Sequence, residues 1–341
     1  MMYDTLIERC PLHILTDNLE YEEWLEKRRG SIGGSDAGPI MGYSDYASRL
    51  TLYLQKKGMA ESREMSRAAQ RGKLLEPLVR DWFAQSYPEI MVSKVPYMFY
   101  SPDYPFMSAN TDGLLFLEEG RMVTIGDKKI AGLGGLEIKS SKTGYGFGKD
   151  EIPDTYYAQV QHYMAVLDLP WFVVSTCFLE TEQIEEYVIY RDKGFIADML
   201  SQEKDFFEQY LVPGVMPAAI GIDNEEAMIT GIFEGTKSTI MLSQSEVEWC
   251  QEYTTLARQI KELETKKGAL ATDLKARLVS RSLSGGDERK LSAYGGPYVV
   301  SWSRYDTTRI DTDALKKAGL YERYSKKIES GRFTVTEKKR A

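Results

Sequence analysis

An acidic and a basic residue two positions apart in a strand-like segment constrain the fold of this chain most. The segment is Gly135-Leu136-Glu137-Ile138-Lys139-Ser140, and a turn-like Asn110-Thr111-Asp112-Gly113 precedes it. Successive side chains of a strand point to opposite faces, so Glu137 and Lys139 share a face while Ile138 turns into a core. One face of a sheet then carries an acid and a base together.

A metal site is one interpretation of this pattern. If a hairpin before the strand brings Asp112 alongside, then Asp112, Glu137 and the backbone carbonyl of Ile138 form the all-oxygen set that Mg²⁺ prefers. Lys139 would then orient a metal-bound water or help to deprotonate it. Taken alone, an acid–x–lysine pair is more often a cross-strand ion pair on a solvated sheet.

Helical segments flank this strand on both sides. Residues 71–83 have apolar residues at helical spacing and carry Glu76 on another face, and residues 156–164 indicate a second helix with Gln159 and Gln161. The order is helix Glu, turn Asp, acid–x–lysine strand, then helix Gln. This order resembles the PD-(D/E)XK nuclease superfamily and, more narrowly, the lambda-type phage exonucleases of the YqaJ viral recombinase family.

The segment of residues 24–35 is similar to the opening of that family, W-x3-R-x-G-x-I-x2-S. The resemblance spans roughly half of the chain. It implies an α/β (α+β) restriction-endonuclease-like core, with a mixed central sheet flanked by helices.

The resemblance also implies roles for the matching residues. Asp112 and Glu137 would bind Mg²⁺, or Mn²⁺ in its place, with the Ile138 carbonyl, and Glu76 would hold a second metal or a coordinated water. Lys139 would position the attacking water, and Gln159 would orient the lysine, the substrate or the water.

A second group of residues matches the family's grip on a terminal 5′-phosphate. Arg28 and Ser35 supply a guanidinium fork and a hydroxyl, which suit a phosphate. Gly30 and Gly34, together with Gly33, would let backbone amides approach the same anion. Trp24 and Ile32 are predicted to be core residues.

The implied activity is a processive Mg²⁺-dependent 5′→3′ exonuclease that digests linear double-stranded DNA and leaves 3′ single-stranded tails for recombination by strand annealing. Its implied partners are a 5′-phosphorylated DNA end, a single-strand annealing protein and further copies of the chain in a toroidal trimer. Two alternatives stay open: another end-processing nuclease or endonuclease of the superfamily, RecB- or Cas4-like, and a non-catalytic DNA-end-binding assembly module.

Composition narrows these classes. The 341 residues include two histidines and three cysteines without metal-ligand spacing, which disfavours Ser-His-Asp catalysis, zinc knuckles and a Cas4-like cluster. We find no secretion signal or membrane-spanning run, so we expect a cytoplasmic protein of a bacterial or phage-infected bacterial cell. The net charge of −8 is unusual for a DNA enzyme, but residues 27–29 and 49–80 are locally basic and flank the predicted site.

Two regions are predicted along the chain. Residues 1–217 would form the nuclease core and residues 218–341 a C-terminal extension. In the extension, apolar residues at spacings of three and four predict a long helix or a helical hairpin over residues 245–281, and residues 285–341 predict a small α+β cap. We expect this extension to serve interaction or assembly rather than chemistry.

Overall fold

The computed structural model describes residues 2–17, 19–60, 67–233, 239–281, 290–304, 306–326 and 335. They divide into two compact units, Met1–Glu234 and Gly235–Ala341. The helices of the first unit are α1 Met2–Arg9, α2 Tyr21–Arg29, α3 Gly34–Met41, α4 Arg49–Lys56, α5 Arg67–Ser86, α6 Asp154–Leu167, α7 Lys193–Phe206, which continues as a π-helical turn over Phe207–Leu211, and α8 Asp223–Ile232.

Four strands of the first unit form a sheet in the order β1-β4-β5-β2. These strands are β1 His13–Leu15, β2 Ile32–Gly33, β4 Tyr97–Tyr100 and β5 Met107–Ala109. A hairpin of β7 Met122–Ile125 and β8 Lys128–Ala131 is separate from this sheet.

The central sheet has the order β11-β10-β9-β6-β3 and is mixed, because β9 pairs parallel with β10 and antiparallel with β6. Its strands are β3 Met91–Ser93, β6 Gly113–Phe116, β9 Leu133–Ser141, β10 Trp171–Phe178 and β11 Gln183–Tyr190. The predicted mixed sheet flanked by helices, with a long C-terminal helix, is confirmed.

The side chains of β10 alternate between the two faces of the central sheet, and helices cover both faces. Phe172 and Val174 belong to a core cluster with Val160 and Met164 of α6, whereas Val173 belongs to a cluster with Phe83 of α5. Neighbouring side chains of a strand point to opposite faces, so β10 contributes to both cores. Ile138 packs on the α5 side, as its position between Glu137 and Lys139 predicts.

Two local expectations differ from the structure. Asp112 does not lie in a hairpin: β5 and β6, on either side of it, belong to different sheets. Gly134 and Gly135 lie in β9 rather than in a turn. A Cβ on these residues would come within 2.4 Å of the Trp171 ring and 2.1 Å of the Phe172 ring, so only glycine lets these rings lie against the strand.

The first unit continues past Pro217, where the sequence suggests a boundary. Ser48, the N-cap of α4, donates from its hydroxyl to Glu225 of α8 at 2.5 Å. Glu225 also accepts from the backbone amide of Gly221 at 2.8 Å. These bonds hold α8 to α4, so the fold of the first unit includes α8.

The second unit contains α9 Gln244–Arg281, β12 Lys290–Gly295, β13 Tyr298–Ser303, α10 Thr312–Lys317 and α11 Tyr321–Tyr324. The apolar pattern therefore forms one helix and not a hairpin at Gly268. The strand predicted near residues 332–336 lies outside the described residues, apart from Val335. Within the described part of the chain, no helix has both the length and the apolar content that a membrane crossing needs.

Candidate active site

The register of β6 against β9 brings Asp112 next to the acid–x–lysine pair. Gly113 is opposite Leu136, and Oδ2 of Asp112 accepts a hydrogen bond from the Ile138 amide at 2.8 Å. Asp112 therefore lies alongside the acid–x–lysine strand, as predicted. The segment that holds it connects two sheets and is not a hairpin.

Glu137, Lys139 and Gln159 form a closed triangle of hydrogen bonds. Lys139 Nζ donates to Glu137 Oε1 at 2.7 Å and to Gln159 Oε1 at 2.9 Å, and Gln159 Nε2 donates to Glu137 Oε1 at 2.7 Å. All three side chains lie between β9 and α6. The triangle fixes the lysine from two sides, which explains how a glutamine on α6 positions a group on β9.

Tyr163 and Tyr156 extend the triangle along α6. The Tyr163 hydroxyl accepts from Gln159 Nε2 at 3.0 Å, and Lys139 Nζ lies 4.7 Å from the ring centroid of Tyr156. Neither tyrosine was predicted to be a site residue. The signal for Tyr163 was its position four residues after Gln159, which places both side chains on one face of a helix.

Glu76 reaches the site from α5, but it is held by a neighbour on its own helix. Arg80 pairs with Oε1 of Glu76 one turn away and also donates from Nε to the Asp112 backbone carbonyl at 3.1 Å. Arg80 thus links α5 to the Asp112 segment. Arg80 was predicted only as part of a basic run. Its contact with Asp112 joins residues that are 32 positions apart in the sequence.

The carboxylates around Asp112 lie close enough to raise one another's pKa. Burial has the largest effect on the pKa of Asp112 and raises it, and the carboxylates of Glu137 and Glu76 raise it further. Burial also raises the pKa of Glu137, against the lowering effect of Lys139. Burial lowers the pKa of Lys139, but Glu137 and Asp112 outweigh it, so the net shift is upward. The charged form of Lys139, a hydrogen-bond donor, is therefore favoured.

The residues around Asp112 fit a bound divalent cation. A cavity of about 210 Å³ is lined by Glu76, Asp112, Glu137 and Lys139, with Gly72 and Ser140 among its other walls. Glu137 Oε2 is buried without a hydrogen-bond partner among the described residues. A cation would supply the missing partner and the missing positive charge, and the donors are the hard oxygens that Mg²⁺ and Mn²⁺ bind.

The side chains alone do not complete a ligand set. Among the described residues, no three His, Cys, Asp or Glu side chains form a group that could hold a metal. Asp112 and Glu137 would therefore need a backbone carbonyl, such as that of Ile138, and water. Glu76 would join only after its carboxylate turned away from Arg80.

Arg28 and Ser35 contact each other at the N-terminus of α3. Arg28 donates from its guanidinium to the Ser35 hydroxyl, and its guanidinium carbon lies 5.1 Å from the ring centroid of Trp24. Trp24 is only half-buried, so its prediction as a core residue is wrong, whereas Ile32 is fully buried. The indole instead forms a platform beneath the arginine.

Close packing of α3 on α6 joins this pair to the triangle. A Cβ on Gly34 would lie 2.5 Å from Tyr163 Cε1 and 3.0 Å from the Gln159 carbonyl. This contact gives Gly34 a packing role, whereas the nearest atom to a Cβ on Gly30 would be 3.6 Å away. Ser35, Lys139 and Gln159 line one wider groove of about 1590 Å³, so the two predicted groups of residues open onto the same space.

The groove is aromatic and of mixed charge. Tyr46 and Tyr145 on its wall are 83% and 86% exposed, and Asp150 and Glu151 lie beside them. Part of the predicted basic run is not available to a ligand. Lys56 is buried against Asp36 at 2.6 Å and donates to the Arg28 carbonyl at 2.9 Å.

Comparisons with known proteins identify a family. Residues 23–175 match the YqaJ-like viral recombinase domain. The chain is 30% identical over 341 residues to the uncharacterized protein YqaJ of Bacillus subtilis (strain 168), covering 95% of this chain and 97% of that one. The chain belongs to the YqaJ-like viral recombinase family. The chain is a DNA nuclease, as the sequence predicts.

Solved structures with similarity to this chain include an alkaline exonuclease from Laribacter hongkongensis, at 23% identity and a TM-score of 0.41, covering 55% of this chain and 91% of that chain. A phage-related exonuclease from Haemophilus somnus has 14% identity and a TM-score of 0.38, covering 54% of this chain and 96% of that chain.

Proposed function

We propose that this chain is a processive exonuclease that uses Mg²⁺, or Mn²⁺ in its place, to digest linear double-stranded DNA from 5′ ends and leave 3′ single-stranded tails. The observation that carries this proposal is the convergence of Asp112, Glu137 and Lys139 at the cavity that Glu76 borders. The resemblance to lambda-type exonucleases supports the direction of digestion and a role in recombination.

The site's residues divide the chemistry. Asp112 and Glu137 would hold the cation, which when bound lowers the pKa of a water and neutralises charge on the phosphate. Lys139, a charged donor held by Glu137 and Gln159, orients that water toward phosphorus. Gln159 fixes the lysine, and Tyr163 fixes Gln159. Hydrolysis by an oriented water needs no covalent intermediate on the protein.

Arg28 and Ser35 would receive the terminal 5′-phosphate. The guanidinium and the hydroxyl already contact one another, and each can donate a hydrogen bond to a phosphate oxygen. A charged hydrogen bond contributes about 1.5–3 kcal/mol, enough to select the phosphorylated end. Gly30 and Gly34 would bring backbone amides to the same place.

The proposed setting is the cytoplasm of a bacterial or phage-infected bacterial cell, with a single-strand annealing protein as partner. A toroidal trimer around the duplex is proposed from the family resemblance and would account for processive digestion. The C-terminal extension would serve assembly or partner binding.

Digestion of three matched duplexes tests the proposal. A linear duplex with 5′-phosphates, the same duplex with 5′-hydroxyls and a closed circle would be incubated with Mg²⁺, Mn²⁺ or Ca²⁺. We expect Mg²⁺ and Mn²⁺ to support digestion of the phosphorylated duplex, slower digestion of the hydroxyl duplex and an intact circle. Ca²⁺ should permit binding without efficient cleavage, because its looser coordination orients water poorly.

Two other outcomes would each indicate a different function. Cleavage of the circle would indicate an endonuclease of the same superfamily. Binding to ends without cleavage under any metal would indicate a non-catalytic end-binding module.

A further inference from the structure

The long helix α9 carries an apolar seam that the described residues of its own unit leave exposed. No residue of α9 is buried in the part of the chain that the structure describes. Leu256, Ile260, Leu263 and Leu270 are 50%, 56%, 62% and 71% exposed. A helix of this length gains most of its stability from packing an apolar face, so this seam requires a partner surface.

The spacing of the seam is that of a coiled coil. Steps of four and three alternate without a break along the helix, which gives a period of 3.5 residues. The positions are Trp249, Tyr253, Leu256, Ile260, Leu263, Lys267, Leu270 and Leu274. In heptad notation Ile260 is at an a position and the leucines at 256, 263 and 270 are at d positions. A single charged residue, Lys267, interrupts the series at an a position.

The hairpin of the same unit does not cover this seam. Lys275 Nζ lies 5.7 Å from the ring centroid of Trp302 on β13. Lys275 is next to the a position of Leu274 and on a different face. The hairpin therefore contacts the helix beside the seam, while Leu270 remains 71% exposed.

Charge along α9 is polarised from end to end. Glu246, Glu248 and Glu252 lie near its N-terminus, whereas Lys266, Lys267, Lys275, Arg277 and Arg281, with one acid at Asp273, lie toward its C-terminus. A parallel pair of these helices would place acids against acids and bases against bases. An antiparallel pair places opposite charges together.

The antiparallel arrangement also gives a self-complementary register. When Ile260 is set opposite Leu263 of a second copy, Leu256 faces Lys267, Tyr253 faces Leu270 and Trp249 faces Leu274. Every a position then meets a d position, as an antiparallel coiled coil requires, and Glu246 at the next a position faces Arg277 at a d position. A shift of one heptad would still pair a with d positions, but it would lose the Glu246–Arg277 pair and set Trp249 opposite Lys267 or Arg281.

We propose that α9 is a self-association helix that pairs with α9 of a second copy of this chain in an antiparallel coiled coil. The Glu246–Arg277 match fixes the register, because Lys267 faces an apolar residue in this register and after a shift of one heptad in either direction. The pairing is independent of the proposed nuclease chemistry. If the cores form rings, it joins two rings.

The first test is the mass of the full chain in solution. Ile260→Asp with Leu263→Asp places four carboxylates at the centre of the seam and should halve the particle mass measured by sedimentation equilibrium, whatever the cores do. Thr255→Asp with Thr265→Asp, on exposed faces away from the seam, is the matched control and should keep the wild-type mass. Lys267→Leu should tighten the association by about tenfold or more, since it removes a charge from the apolar layer.

The second test is orientation. The antiparallel register places Cys250 of one copy near position 271 of the other, whereas the same two positions on one helix are about 30 Å apart at ~1.5 Å per residue. Ala271→Cys should therefore give a covalent dimer with a short bis-maleimide crosslinker, and Cys250→Ser should abolish it. A covalent Cys250–Cys250 dimer in the wild type, no crosslink in Ala271→Cys, or an unchanged mass for the seam variant would overturn the proposal. Circular dichroism of each variant separates loss of pairing from loss of the helix.

Discussion

Glu137 accepts a 2.7 Å hydrogen bond from Lys139 across one face of β9, so the two charged groups are already paired before any substrate binds. Glu137 is buried and Lys139 is part-buried beside it. Removing either partner leaves a buried charge without its counterpart, and the effects of single substitutions therefore include that cost.

The first prediction concerns turnover. Lys139→Ala and Asp112→Asn should each reduce hydrolysis by roughly three orders of magnitude, because they remove the water-orienting donor and a metal ligand. Binding to a phosphorylated duplex in Ca²⁺ should stay within about threefold of wild type, since no phosphate-binding group is lost. Lys129→Ala, at an exposed position on β8, is the control. Near-normal turnover by either site variant would refute the assignment.

The second prediction concerns the end group. Arg28→Ala should lose the preference for 5′-phosphorylated over 5′-hydroxyl duplexes, a ratio of roughly tenfold to a hundredfold in kcat/KM if the contact contributes 1.5–3 kcal/mol. Lys27→Ala removes an equal charge from the preceding exposed position and should keep most of that ratio. A wild-type enzyme that does not distinguish the ends would contradict this role for Arg28.

The third prediction compares two glycines that the family resemblance treats alike. Gly34→Ala should lower the free energy of unfolding by about 1–3 kcal/mol, because its Cβ would overlap the Tyr163 ring in a closely packed contact. Gly30→Ala has ordinary space and helical backbone angles, with φ of −73°, and should change stability little. Urea unfolding of both variants decides this, and equal losses would show that packing against Tyr163 is not what selects glycine.

The fourth prediction concerns pH. His162 is buried against Glu203 at 2.8 Å and the Ser108 carbonyl at 3.0 Å. Burial lowers the pKa of His162, but Glu203 outweighs it and the net shift is upward. The folded pKa exceeds the unfolded value, so this pair stabilises the fold fully below the unfolded pKa of about 6.5 and loses that contribution as the pH rises through the folded value.

The stability difference between wild type and His162→Asn should therefore be largest near pH 6 and shrink at higher pH, by at most about 1.4 kcal/mol per pH unit. Denaturant unfolding from about pH 5.5 to 9 measures it, and a pH-independent difference for His162→Asn would rule out a charged imidazole.

The fifth prediction concerns the C-terminal extension. Deleting residues 240–341 removes the second unit from α9 onward and leaves α8 and its bonds to α4 in place. We expect metal-dependent cleavage of short duplexes within about threefold of wild type, since the proposed catalytic groups all lie in the first unit. Processivity or oligomer mass should fall. A folded truncation without cleavage would show that the extension completes the active site.

Local patterns predicted the parts of the site that neighbouring residues determine. Glu137, Ile138 and Lys139 follow from strand alternation, whereas Arg28 and Ser35 were named only from the family resemblance. The position of Asp112 was correct, but its hairpin was not. The pairing of β6 with β9 depends on long-range contacts that no local spacing contains.

The missed features are contacts between elements that are distant in sequence. Lys56 contributes to a basic run in the sequence, yet in the fold it is buried against Asp36. Gly134 and Gly135 resemble a turn until two aromatic rings of β10 are placed over them. Each of these residues fits two environments equally well by composition, and only tertiary packing selects one.

The chain passes from the four-stranded sheet to the central sheet through Asn110, Thr111 and Asp112, directly between β5 and β6. The carboxylate at the heart of the proposed chemistry is thus anchored at both ends by different sheets. A substitution that alters the twist of either sheet would move it. Selection for turnover therefore also constrains strands that lie far from the substrate. Substitutions in one sheet should be correlated with substitutions in the other.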